Sequence, residues 1–227
     1  MTTFIRILCV SMIAALTTLG SSPTALADDR TVEIYAWGDN YLTWEGGGPD
    51  WSNGIPGRLD AALRADGIAV HIKVVNFEHS SVALKWLTKY GVGKDLLAHP
   101  DGHAVIMQVG HIDCLDFAPD SVEQTRAHLD QMLERLNEKR IPVLLVRTGV
   151  LSTCAPDYDA DGYLRMFGDL ATKYDALFYE NLLDGVDGNL DLLLAGGDGA
   201  PNANGDAVIA ARLLPLVEKL VARVPKR

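Results

Sequence analysis

Several residues of this chain have side chains able to do acid–base or ligand chemistry, and each is weighed first by its immediate neighbours. His111 follows Gly110, and its imidazole could take a proton near neutral pH. A histidine beside a glycine turn is, however, more often hydrogen-bonded or solvated. His79 and Ser80 have the types of a base and a nucleophile, but side chains adjacent in sequence diverge rather than pair. Asp39 is a lone carboxylate after Gly38; accepting backbone N–H bonds in a turn is its commoner role. Asp184, Asp187, Asp191 and Asp198 lie in a glycine-rich stretch without the alternation and terminal Glu of a calcium loop. Gly46-Gly47-Gly48 is not followed by Lys-Ser/Thr and makes no phosphate cradle. The spacing of Cys114 and Cys154 does not fit a metal site. No metal and no cofactor is therefore expected from these patterns.

The elements that must position such residues alternate. Short β-rich or wholly apolar runs occur at Thr31–Trp37, Ala69–Val75, Ala104–Val109, Pro142–Val146 and Ala176–Tyr179. Helical spacing occupies Pro56–Ala65, Ser121–Arg140, Tyr163–Tyr174 and Asp206–Val221. Ser121 and Gln124 have the spacing of a capping box. Strands alternating with helices predict an α/β fold, a parallel sheet covered on both faces. Ligands of such sheets sit at the carboxyl ends of the strands, where strand order reverses. That places the segments just after each strand in question. It also puts His99 and His103, which flank a loop before the third strand, at the opposite end.

Residues 1–27 read as a secretory signal: Arg6, an apolar run from Ile7 to Leu19, then Ala25-Leu26-Ala27 before Asp28-Asp29. The run is shorter than the roughly 20 residues of a membrane span. Cleavage near Ala27 and export, periplasmic or secreted, are expected, with residues 28–227 as one domain. The formal charge of −10, from 30 acidic and 20 basic residues, opposes binding to nucleic acid. Lys85, Lys89 and Lys94 read as a solvated helix face. Nothing in the pattern specifies an oligomeric state.

Four strand-end segments stand in a recognisable order. They are Gly38-Asp39-Asn40-Tyr41, Asn76-Phe77-Glu78-His79-Ser80-Ser81, Gly110-His111-Ile112-Asp113, and Asp198-Gly199-Ala200-Pro201-Asn202 with Gly205 beyond. Together with Pro56-Gly57-Arg58-Leu59, Leu183-Asp184-Gly185-Val186 and Leu213-Leu214-Pro215-Leu216-Val217 they resemble the SGNH/GDSL hydrolases, in the arylesterase and lysophospholipase branch. The likeness runs across nearly all of residues 28–227. It implies a three-layer α/β/α sandwich around a five-stranded parallel sheet, flavodoxin-like in plan.

The resemblance also implies that the family's chemistry is missing. The family uses a Ser nucleophile, a His base oriented by an Asp three residues earlier, and an oxyanion hole of two backbone N–H groups and an Asn. Asn40 stands at the nucleophile position and has no nucleophilic oxygen. The last motif is one residue short, so Ala200 or Pro201 stands where the base would be, behind Asp198. Ile112 replaces the Asn donor after Gly110, and Ser81 falls at the position of the donor Gly. Loss of one oxyanion donor costs about 2.7–4 kcal/mol. Loss of a nucleophile or base costs on the order of a millionfold in rate. The sequence thus predicts a non-catalytic pseudo-esterase that keeps the cleft, built from Asp39, Asn40, Ser81, Gly110, Ile112, Asp198 and Ala200. The alternative is a carboxylic ester hydrolase with a rewired site using His111 or an aspartate.

Trp37, Tyr41, Trp44 and Trp51 cluster where that cleft would lie. Core packing is the default for each, and their density suggests a stacking wall for an acyl or glycan ligand. Cys114 and Cys154 follow the third and fourth strands, neighbours in the family's sheet, and a disulfide between them is expected.

Overall fold

The structure is a computed structural model describing residues 31–38, 40–43, 53–76, 79–110, 112–114, 120–148, 158–195 and 199–225. In chain order its elements are β1 (Val32–Gly38), α1 (Asn40–Thr43), α2 (Ile55–Ala65), β2 (Val70–Asn76), α3 (Ser80–Lys89), α4 (Gly91–Ala98), β3 (His103–Gln108), α5 (Val122–Glu138), β4 (Val143–Val146), α6 (Ala160–Lys173), β5 (Leu177–Tyr179) and α7 (Ala203–Ala222). Two 3-10 turns, Ile112–Cys114 and Leu190–Leu192, complete them.

All five strands are parallel, in the order β2-β1-β3-β4-β5. The chain leaves β1 for β2 on one side and then crosses back to β3 on the other. In sheets of this kind ligands bind at the carboxyl ends of the strands where the order reverses, which here are β1 and β3. The expected α/β sandwich and its sheet are as the sequence indicated.

Alternation along each strand divides the core in two, because successive side chains point to opposite faces. Ile34, Ala36, Ala104, Ile106, Leu144 and Val146 face α1, α2 and α7. Tyr35, Trp37, Val105, Met107, Val143 and Leu145 face α3, α4, α5 and α6. Strands buried on both faces are why these runs lack polar interruptions.

The helices differ in how they begin. Ser121 accepts a bond from Gln124 N while the Gln124 side chain accepts one from Ser121 N, the capping box foreseen in the sequence. Asp159 caps α6 and Asn202 caps α7 through their side-chain oxygens. His79 and Tyr90, at the starts of α3 and α4, make no such side-chain bond. Lys85, Lys89 and Lys94 lie exposed on α3 and α4, the solvated face expected of them.

Candidate functional site

Close packing fixes how the chain leaves β1. A Cβ on Gly38 would stand 2.7 Å from Gln108 Oε1 and 2.9 Å from Leu42 Cβ, so only a glycine lets β1 pass beside the end of β3. Asn40 then opens α1, while Tyr41 and Leu42 turn into the core. The loop ahead of α7 comes to the same place. A Cβ on Gly199 would lie 4.0 Å from the Tyr41 hydroxyl. Leu194 N donates to Ala200 O, and Leu193 bridges Pro201 in antiparallel fashion. Asn202 holds the loop from beneath, donating through Nδ2 to Asp191 O (2.9 Å) and Leu193 O (3.0 Å). Ala200 is half-buried among the apolar residues of that face.

A denser polar network follows β2 and β3. Gly110 has φ +99°, and a Cβ there would meet Thr125 Cγ2 at 2.9 Å. The 3-10 turn after it sends Asp113 inward, to complete burial. Asp113 Oδ1 accepts from Ser80 N (3.0 Å) and Oδ2 from Thr125 Oγ1 (2.8 Å). His79 Nδ1 lies 3.2 Å from Asp113 Oδ1 and 3.5 Å from Asp120 Oδ2. His128 Nδ1 lies 3.6 Å from the same Asp120 oxygen and 2.8 Å from Ser80 Oγ. Tyr158 borders the group; burial first, then the charges of Asp113 and Asp120 among others, push its phenol up to about 12.

Ser80, His128 and Asp120 have the residue types of a hydrolytic triad. Their geometry differs from one in a decisive way. Both contacts of His128 fall on Nδ1, and one ring nitrogen can accept from Ser80 or donate to Asp120, not do both. Ser80 is also fully buried. The arrangement ties α3 to α5.

The structure brings Asn40, Gly110, Ile112 and Ala200 to the carboxyl edge of the sheet, with Ser81 half-buried in the first turn of α3. Asp39, His111, Asp198, Cys154, Trp44 and Trp51 lie outside the described residues, as do residues 1–30 and Gly46-Gly47-Gly48. Cys114 is buried at the end of its turn. Trp37 and Tyr41 are only 2% and 5% exposed, so these two serve the core and are no part of a stacking wall. His103 opens β3 at the opposite, amino edge, 3.2 Å from Glu33. There the hydrogen bond from Lys73, at 2.8 Å, holds the Glu33 carboxyl below its ordinary range. The network of His79, Ser80, Asp113, Asp120, Thr125 and His128 was not assembled by sequence reasoning. Asp113 was visible in the motif after β3, yet nothing in the spacing announced its partners.

No protein-family model and no curated protein sequence matches the chain. Solved structures do match, over nearly their whole length. AlinE4, an SGNH-hydrolase family esterase, is 26% identical with a TM-score of 0.59, over 84% of this chain and 96% of its own. The chain has the SGNH/GDSL hydrolase fold. The protein TesA superposes with a TM-score of 0.68 at 20% identity, covering 83% of this chain and 99% of its own. The esterase EstA from Pseudoalteromonas sp. gives 0.67 at 16% identity, covering 84% and 99%. This SGNH-like chain therefore shares their fold. Among the described residues no helix is long and apolar enough to cross a membrane.

Proposed function

We propose that this SGNH-like chain is an exported pseudo-esterase, a non-catalytic protein that binds an acyl or glycan ligand in the inherited crevice. The observation that carries it is the residue opening the helix after β1. Asn40 stands there, and a carboxamide cannot be activated by a base or form an acyl intermediate. Ala200 and Pro201 before the Asn202 cap supply no proton acceptor, and Ile112 after Gly110 offers a hydrocarbon to a developing oxyanion. Export rests on the signal-like residues 1–27 and cleavage near Ala27.

The test is hydrolysis of short-chain p-nitrophenyl esters by the purified chain, beside an Asn40→Ser, Ala200→His double variant and a blank without protein. The wild type is expected at the blank rate. A saturable, heat-labile wild-type turnover refutes the reading. The competing one is a carboxylic ester hydrolase with a rewired site, favoured only by the 2.8 Å approach of Ser80 Oγ to His128. Turnover abolished by Ser80→Ala, or by His111→Ala, would identify it.

A further inference from the structure

The side chains of His79, Asp113 and Asp120 converge from three separate segments, and their candidate ligand atoms all lie within 4.8 Å of one another. His79 precedes α3, Asp113 sits in the turn after β3, and Asp120 precedes the cap of α5. Asp113 is fully buried and Asp120 stands beside it partly buried, so the pair calls for nearby positive charge, since an unpaired buried charge is expensive. Among the described residues neither carboxylate is ion-paired with a Lys or Arg; their partners are His79 and His128. Asp120 Oδ2 is closed off from solvent without a hydrogen bond, although two imidazole nitrogens face it.

The spacings are close to those of a metal's ligand shell. In a tetrahedron with metal–ligand bonds of about 2.0–2.2 Å, neighbouring ligand atoms stand about 3.3–3.6 Å apart. His79 Nδ1 stands 3.2 Å from Asp113 Oδ1 and 3.5 Å from Asp120 Oδ2. The outer shell is built as well. Ser80 N and Thr125 Oγ1 fix the two oxygens of Asp113, leaving each a second lone pair, and His128 abuts Asp120. We propose that His79, Asp113 and Asp120 form a binding site for one divalent transition cation of the zinc class. The two carboxylates balance its charge. Three protein ligands leave its fourth position to water. The short-range spacing of the sequence announced no such site, because the ligands meet only through the crossovers.

The test is direct and independent of the ester assay. The full chain, stripped by dialysis against a chelator, is titrated with Zn2+ by calorimetry and with Co2+ followed by visible absorption. Binding of one ion per chain is expected, with cobalt d–d bands of four- or five-coordinate intensity. His79→Ala and Asp120→Asn should each weaken binding by about tenfold or more. Both positions are partly accessible, and circular dichroism establishes that each variant is folded; if one does not fold, the other decides. Failure of the wild-type chain to take up either ion overturns the proposal. So does uptake whose affinity is unchanged in the folded variants, since the ion then sits elsewhere.

Discussion

Gly110 shows how much one residue can be asked to do at the edge of this sheet. Its φ of +99° excludes an ordinary side chain on backbone grounds, and the space a Cβ would fill belongs to Thr125 Cγ2. Thr125 is the residue whose hydroxyl holds Asp113, so a push there reaches the buried carboxylate. Gly110→Ala should cost about 2–4 kcal/mol in urea unfolding, combining the backbone penalty with overpacking. A loss below about 0.5 kcal/mol, within the range of ordinary surface changes, would mean that the turn relaxes freely. The sequence made Gly110 legible through its motif. It could not make the His79–Asp113–Asp120 group legible, because those residues are near only after β2 and β3 have been placed on either side of β1. A spacing argument detects ligands that share an element; these do not.

Among the elements, legibility followed local chemistry. The strands were readable because burial on both faces leaves runs such as Val143–Val146 wholly apolar. The helices α5 and α7 were readable because long amphipathic spans carry their own signal. The Ser121 cap of α5 was legible too, whereas α7 starts at Ala203 behind Asn202, three residues before the Asp206 expected. Helices α3 and α4 left only the hint of a solvated lysine face. They span 10 and 8 residues, lack side-chain caps, and meet at Tyr90 and Gly91. Gly93 packs on the backbone of Leu87 so closely that tertiary contact, not propensity, sets their bounds. The caps also separate two kinds of element in a measurable way. Ser121→Ala removes a cap that acts only on α5 and should cost about 1 kcal/mol. Asn202→Ala removes the cap of α7 and also the two Nδ2 bonds that hold the loop before it. That loss should reach about 2–3 kcal/mol. Equal midpoints for the two variants in urea would show that the loop contributes nothing to the cap.

For the whole molecule, the sheet decides which distant segments can be joined. β3 pairs with β4 in parallel, Val105 to Val143 through Met107 to Leu145, so the chain leaves both strands side by side at one edge. The loops after these strands start about 4.8 Å apart, and a disulfide needs roughly 4.4–6.8 Å between Cα atoms. Cys114 follows β3 and Cys154 follows β4 in the sequence, and the proposed export would place the chain where thiols are oxidised. A bond between them would close a loop of about 40 residues and restrict the unfolded chain by about 4 kcal/mol. That loop contains α5 and β4 entirely, so the link would tie the crevice edge to the core face carrying Leu129, Met132 and Leu145. Thiol titration of the denatured, unreduced chain produced from Asp28 onward, which lacks Cys9, is expected to find none, and two after reduction. Two thiols before reduction would refute the pairing. The same sample in urea gives the second reading: Cys114→Ser with Cys154→Ser should lower stability by about 4 kcal/mol, and reduction of the wild type should bring it to the same midpoint.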